Sequence, residues 1–162
     1  MNSQCEGEFQ KLPEEMKNEE VLEKEKPHIW IIDDNQDYSA VLMNTLSTIE
    51  NVQMESFTLG EVAVEKIKTL INDKKILPEL IFMDYRLNEG VERPKYAYGT
   101  DATRDIVKTC EENHVKIPNI IAFSTDSLNN EKLLNSGATT SLKKGRITIK
   151  ELKEFISQNI KS

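Results

Sequence analysis

The sequence predicts an α/β domain, a doubly wound sheet of five parallel strands with five helices on its two faces. Three observations carry that prediction. From residue 27 onward, strand-like apolar runs alternate with stretches of helical spacing. The run Ile29 to Ile32 is continuously apolar instead of alternating, as a central strand covered on both sides must be. The length of 162 residues, 38% of them hydrophobic with only five prolines and six glycines, suffices for one compact domain with a buried core.

The elements follow in chain order. Residues 28 to 33 read as the first strand. Tyr38, Val41, Leu42, Leu46 and Ile49 then recur at helical spacing, which predicts an amphipathic helix over 36 to 50, and 52 to 57 give a short second strand. Val62, Val64, Ile67, Leu70 and Ile71 mark the buried stripe of a second helix. It must end before Pro78, because a proline disfavours helical geometry in its predecessor. The third strand spans 79 to 84. Residues 85 to 98, with Asn88, Gly90 and Pro94, show no sustained period and read as an extended loop, longer than the usual βα connection and so a candidate functional segment.

A third helix over 100 to 113 places Ala102, Ile106, Val107 and Cys110 on one face. Pro118 opens the fourth strand, 120 to 123, which runs into Ser124, Thr125 and Asp126. A short helix carrying Leu133 and Leu134 stops at Gly137, a candidate left-handed cap. The fifth strand covers 139 to 143, and a last helix, 148 to 159, buries Ile149, Leu152, Phe155 and Ile156.

Residues 1 to 26 hold eight Glu against four Lys and little to bury, which predicts a disordered acidic extension ahead of a domain spanning 27 to 162. With a formal net charge of −7 and no basic stripe, nucleic acid is not an expected partner. No stretch approaches the ~18 apolar residues of a membrane span, and the N-terminus lacks an apolar leader, so a cytoplasmic protein without membrane contact is expected. Cys5 and Cys110 offer neither a disulfide framework nor a metal spacing and are expected to be free thiols. His28 and His114 lack a Cys or His partner at zinc spacing.

Ligands of open parallel sheets bind outside the carboxyl ends of the strands. Here Asp33 and Asp34 end the first strand, Asp84 the third, Ser124 and Thr125 the fourth, and Lys143 and Lys144 the fifth. Three convergent carboxylates raise one another's pKa unless a cation sits among them, and Mg²⁺ suits such hard oxygen donors. A lysine and a hydroxyl then serve the oxygens of a transferred phosphoryl group. Neighbours on a strand point to opposite faces, so only one of Lys143 and Lys144 enters the site. Taken singly, Asp84 reads as a turn or cap residue and Asp33 as a helix cap; the combination makes the case.

With Asp33-Asp34, Asp84-Tyr85-Arg86-Leu87, Ser124-Thr125 and the run Gly137 to Lys144, the chain resembles a response-regulator receiver domain of two-component signalling over residues 27 to 161. The resemblance implies a flavodoxin-like fold with strand order 2-1-3-4-5. It implies that Asp84 is the phosphoacceptor, that Asp33, Asp34, Asp84 and the backbone carbonyl of Arg86 hold Mg²⁺ or Mn²⁺, and that Ser124 is the switch hydroxyl. Lys144, seven residues past Gly137, becomes the phosphoryl contact, while Tyr85 packs beside the site.

The function so implied is that of a stand-alone, single-domain response regulator in a phosphorelay. It takes its phosphoryl group from a histidine kinase or phosphotransfer protein and signals by binding a downstream protein target. Three features depart from the family pattern: Gly145 replaces a proline, Ser141 replaces an aromatic that couples the switch, and the segment after Asp84 is longer and carries Tyr96 and Tyr98. That segment is expected to cover the site or contact a partner. Arg86 and Asp126 occupy the two positions that tune dephosphorylation in the family. The first two departures favour an alternative, a phosphorylation-independent pseudo-receiver acting as an interaction module. An aspartyl phosphatase or phosphotransferase is disfavoured, because Arg86 stands where that class places a second Asp.

Overall fold

The computed structural model describes residues 26–87 and 92–160. The expected acidic extension with Cys5, and Asn88 and Gly90 of the loop, lie outside the described residues. Five βα units follow one another: β1 (His28–Ile32), α1 (Gln36–Leu46), β2 (Gln53–Phe57), α2 (Gly60–Asn72), β3 (Leu80–Met83), α3 (Gly99–Glu112), β4 (Asn119–Ser124), α4 (Ser127–Leu134), β5 (Thr140–Lys143) and α5 (Ile149–Asn159). The strands form one parallel sheet in the order β2-β1-β3-β4-β5, the doubly wound, flavodoxin-like topology.

Side-chain alternation splits the core into two layers. Trp30, Ile32, Ile81, Met83, Ile120 and Ala122 pack against Ala63, Val64 and Ile67 of α2, Ala102 and Ile106 of α3, and Leu133 of α4. The intervening residues Ile29, Ile31, Leu80, Phe82, Ile121 and Phe123 meet Leu42 and Leu46 of α1 and Leu152 and Ile156 of α5. Each buried Val, Leu, Ile, Met or Phe side chain among them contributes about 1.5–3 kcal/mol. The same alternation has a consequence beyond the strands. Asp33 follows Ile31 in phase, Asp84 follows Phe82, and Lys144 follows Leu142, so all three continue the layer that faces α1 and α5.

Several sequence expectations are corrected. α1 ends at Leu46 instead of near residue 50, because Ser47 and Thr48 turn their hydroxyls back onto the carbonyls of Asn44 and Thr45 and Asn51 adopts a φ of 60°. Tyr38 and Val41 are exposed on α1, and Ile49 lies beyond it. On α2 the buried stripe runs Gly60, Ala63, Val64 and Ile67, which leaves Val62 off the face and exposed. Ile149, in the first turn of α5, is also exposed; Leu152 and Ile156 carry that helix's burial.

The described residues of the segment after β3, 84–87 and 92–98, hold more structure than a loop without period. Leu87 is fully buried and Tyr96 nearly so, the Leu87 N–H donates to the Ala97 carbonyl, and Arg86 pairs with Tyr98 in an antiparallel bridge. Tyr96 therefore belongs to the core and does not cover the strand ends. Its hydroxyl donates to Asp105 of α3.

Candidate functional site

At the carboxyl end of β1 the Asp33 N–H donates to the Phe57 carbonyl at 3.0 Å, which fixes the residue beside the neighbouring strand. Its side chain is almost wholly buried, and Oδ1 accepts from the Asn35 N–H at 3.0 Å. The cap of α1 is Asn35, not Asp33: the Asn35 side chain accepts from the N–H groups of Asp37 and Tyr38. That division of labour frees the second Asp33 oxygen for the site.

Asp84 leaves β3 with its N–H bonded to the Ile32 carbonyl at 2.9 Å, which sets it next to Asp33. One carboxylate oxygen from each of Asp33, Asp34 and Asp84 lies within 4.8 Å of the others. Burial raises the Asp84 pKa from 3.8 to about 6, with Lys144 pulling it down and Asp33 pushing it up. Burial also raises Asp33, against the opposing pull of Lys144. The position of Asp84 depends on Gly99 at the start of α3, where a Cβ would stand 2.0 Å from the Asp84 carbonyl oxygen.

Lys144 lies just beyond β5, its N–H donating to the Ser124 carbonyl at 3.0 Å. Its buried ammonium lies 2.5 Å from Asp33 Oδ2 and 3.4 Å from Asp84 Oδ1. Lys143 reaches instead to the Ser127 hydroxyl, 3.3 Å away on the other side of the strand. Ser124 ends β4 as a buried residue, and its Oγ accepts from the Asp126 N–H at 3.4 Å. Thr125 is exposed beside it. Asp34, Asp84, Arg86, Ser124, Asp126 and Lys144 share one open cleft of about 610 Å³. In the present geometry Asp126 caps α4 by accepting from the Leu128 N–H at 2.9 Å.

Three residues that shape this site escaped the sequence argument. Asn130 is buried in α4, where its side chain accepts from the Ser124 N–H at 2.8 Å and donates to the Leu142 carbonyl at 3.1 Å, tying β4 to β5. A polar residue three before the core residue Leu133 was its only signal. Gly99, just past the long loop, carries no local signal of its contact with Asp84. Tyr38, which its spacing assigns to the apolar stripe of α1, faces the cleft with the Lys144 ammonium 4.6 Å from its ring centroid.

The donor set fits a hard divalent cation: three carboxylates at one point, buried enough to raise two of their pKa values, leave excess negative charge that one ammonium only partly offsets. The residues that would hold it are Asp33, Asp34 and Asp84. Among the described residues no other group of three such side chains converges, and no helix is long and apolar enough to cross a membrane.

No family model matches the chain, and no curated protein matches it. Solved structures do. The receiver domain of the sensor histidine kinase PA1611 from Pseudomonas aeruginosa, with a magnesium ion coordinated in its active-site cleft, is 23% identical over 84% of this chain and 98% of its own, with a TM-score of 0.64. The receiver domain of the histidine kinase CKI1 from Arabidopsis thaliana, complexed with Mg²⁺ and BeF3⁻, is 22% identical over 81% of this chain and 90% of its own, at 0.61. The chemotaxis protein CheY4 of Vibrio cholerae is 15% identical over 83% and 98%, at 0.60. At these identities the likeness is one of fold.

Proposed function

We propose that this chain, which has the fold of a response-regulator receiver domain, accepts a phosphoryl group on Asp84 from a phosphohistidine of a histidine kinase or phosphotransfer protein. The single observation that supports this most is the junction of three carboxylates with one buried ammonium at the carboxyl ends of β1, β3 and β5. In the transfer the phosphorus exchanges its bond to an imidazole nitrogen for one to an Asp84 carboxylate oxygen. Asp84, with a pKa of about 6, is largely ionised at neutral pH and so is a competent nucleophile.

The residues of the chain supply position and charge. Lys144 already touches Asp84 and Asp33, and it is placed to follow the incoming phosphoryl oxygens as the Asp84 carboxylate is esterified. Ser124, anchored by Asn130, presents its hydroxyl to the same cleft. Arg86 and Asp126 line its rim, where they would limit access of water to the acyl phosphate. A divalent cation, Mg²⁺ or Mn²⁺, held by Asp33, Asp34, Asp84 and the Arg86 carbonyl would offset charge on the phosphoryl oxygens. The phosphorylated form then signals by binding a downstream protein, since a dianionic group draws Ser124 and Lys144 inward and biases the adjoining loops.

The test is incubation with Mg²⁺ and acetyl phosphate followed by intact-mass measurement. One phosphate-sized adduct, lost in Asp84→Asn and reduced in Asp34→Asn together with Mg²⁺ affinity, is the expected result. Absence of both adduct and metal binding would favour the interaction-module reading, to which the exposed Ser141 in place of an aromatic and Gly145 in place of a proline lend support.

A further inference from the structure

We propose that Tyr38 is a positioning residue for Lys144, its ring face holding the buried ammonium against Asp84; the inference rests on the phosphoacceptor reading above. The ammonium is bounded on three sides. Asp33 Oδ2 is 2.5 Å away, Asp84 Oδ1 is 3.4 Å away, and the Tyr38 ring centroid is 4.6 Å away. Lys144 is only 5% exposed while Tyr38 is 42% exposed, so the ring forms the solvent side of the ammonium's enclosure at the cleft mouth.

The backbone around Lys144 is held by hydrogen bonds, while its ammonium is met by side chains. Its N–H is tied to Ser124, and the Arg146 N–H closes a turn on the Lys143 carbonyl at 3.2 Å, with Gly145 inside it at a φ of +75°. The backbone of Tyr38 is tied to the carboxylates through Asn35. The Tyr38 N–H donates to Asn35 Oδ1 at 3.2 Å, and the Asn35 N–H donates to Asp33 Oδ1 at 3.0 Å. One short chain of bonds thus links the helix turn that carries the ring to the carboxylate that shares the ammonium.

The chemistry gives the ring a role that a third carboxylate would perform badly. A carboxylate would compete for the ammonium when the phosphoryl group arrives, and it would add negative charge to a site already crowded with it. The ring's quadrupole attracts the cation without net charge. It holds Lys144 in place while the ammonium's anionic partner changes from carboxylate oxygen to phosphoryl oxygen.

The experiment uses the full chain with lysine ¹³Cε labelling and compares wild type with Tyr38→Leu, Tyr38→Phe and Tyr38→Trp. Wild type is expected to show one lysine ε-methylene signal displaced by the ring current, assigned by its loss in Lys144→Met. Tyr38→Leu should return that signal to the common lysine position and lower the maximal rate of phosphoryl uptake from acetyl phosphate by roughly 3- to 30-fold, the range that a cation–π contact supports. Mg²⁺ affinity and the donor KM should stay within about twofold of wild type. Tyr38→Phe and Tyr38→Trp should restore both signal and rate.

An undisplaced signal in the wild type overturns the inference without any variant. So does a Tyr38→Leu rate equal to wild type, or a Tyr38→Phe as slow as Tyr38→Leu. A wild type that takes up neither phosphoryl group nor Mg²⁺ fails differently, since it removes the phosphoacceptor reading itself and the positioning role with it.

Discussion

The Lys144 ammonium stands 2.5 Å from Asp33 Oδ2, and both side chains are almost wholly out of water. A buried pair of this kind contributes little net stability, yet removing one partner strands the other as an uncompensated charge. Lys144→Met should therefore lower stability in metal-free buffer at pH 7.5 by up to about 3–5 kcal/mol, less what Asp33 recovers by taking up a proton. Millimolar Mg²⁺ should restore more stability to Lys144→Met than to wild type, since it replaces the lost positive charge. Urea unfolding with and without Mg²⁺ measures both; equal gains in the two proteins would contradict a shared site.

The raised pKa of Asp84 fixes the sign of a pH effect. In the fold the group keeps its proton up to about pH 6, whereas its ordinary value is 3.8, so between those values the native state binds more protons than the unfolded one. Stability from this group is thus full below about 3.8, falls as pH rises through 6, and stays low above it. Asp84→Asn removes the penalty. In metal-free buffer it should be more stable than wild type at pH 7.5 by roughly 1–3 kcal/mol, with the difference vanishing near pH 4. Thermal melts across that range test this, and Mg²⁺ affinity should weaken as pH drops through 6.

Two glycines separate a packing requirement from a conformational one. A Cβ on Gly99 would stand 2.0 Å from the Asp84 carbonyl oxygen, so Gly99→Ala must displace backbone at the phosphoacceptor itself. It should destabilise the protein by about 1–3 kcal/mol and cut phosphoryl uptake well beyond that loss. Gly145→Ala meets no atom within 4 Å and bears only the strain of a φ of +75°, about 1–2 kcal/mol. Mass-monitored uptake by the folded fraction of each variant makes the comparison; equal residual rates would sever Gly99 from the site.

The apolar runs at Ile29–Ile32 and Leu80–Met83 made the central strands legible, because a strand covered on both faces has no other composition open to it. The helices were legible in kind but less so in facing. Val62 and Ile149 are apolar residues at the solvent side of their helices, and a periodic pattern read in one dimension cannot say which of two overlapping stripes the sheet will cover. The core role of two residues after Asp84 was hidden for a similar reason. Leu87 and Tyr96 are core residues whose burial depends on contact with α2 and α3, not on any local period.

By itself the sequence determined the βα alternation, the five strand ends and the residue types standing on them, since local propensity and pattern act over a few residues. Only the tertiary structure decided which atoms meet. The pleat sends Lys144 to Asp33 and Asp84 and its neighbour Lys143 to Ser127. Asn35 takes the helix cap and leaves Asp33 for the cleft. Helix α1 brings Tyr38 over an ammonium 106 positions further along the chain. Such contacts join elements distant in sequence through the packing of two layers on one sheet, and no local pattern encodes them.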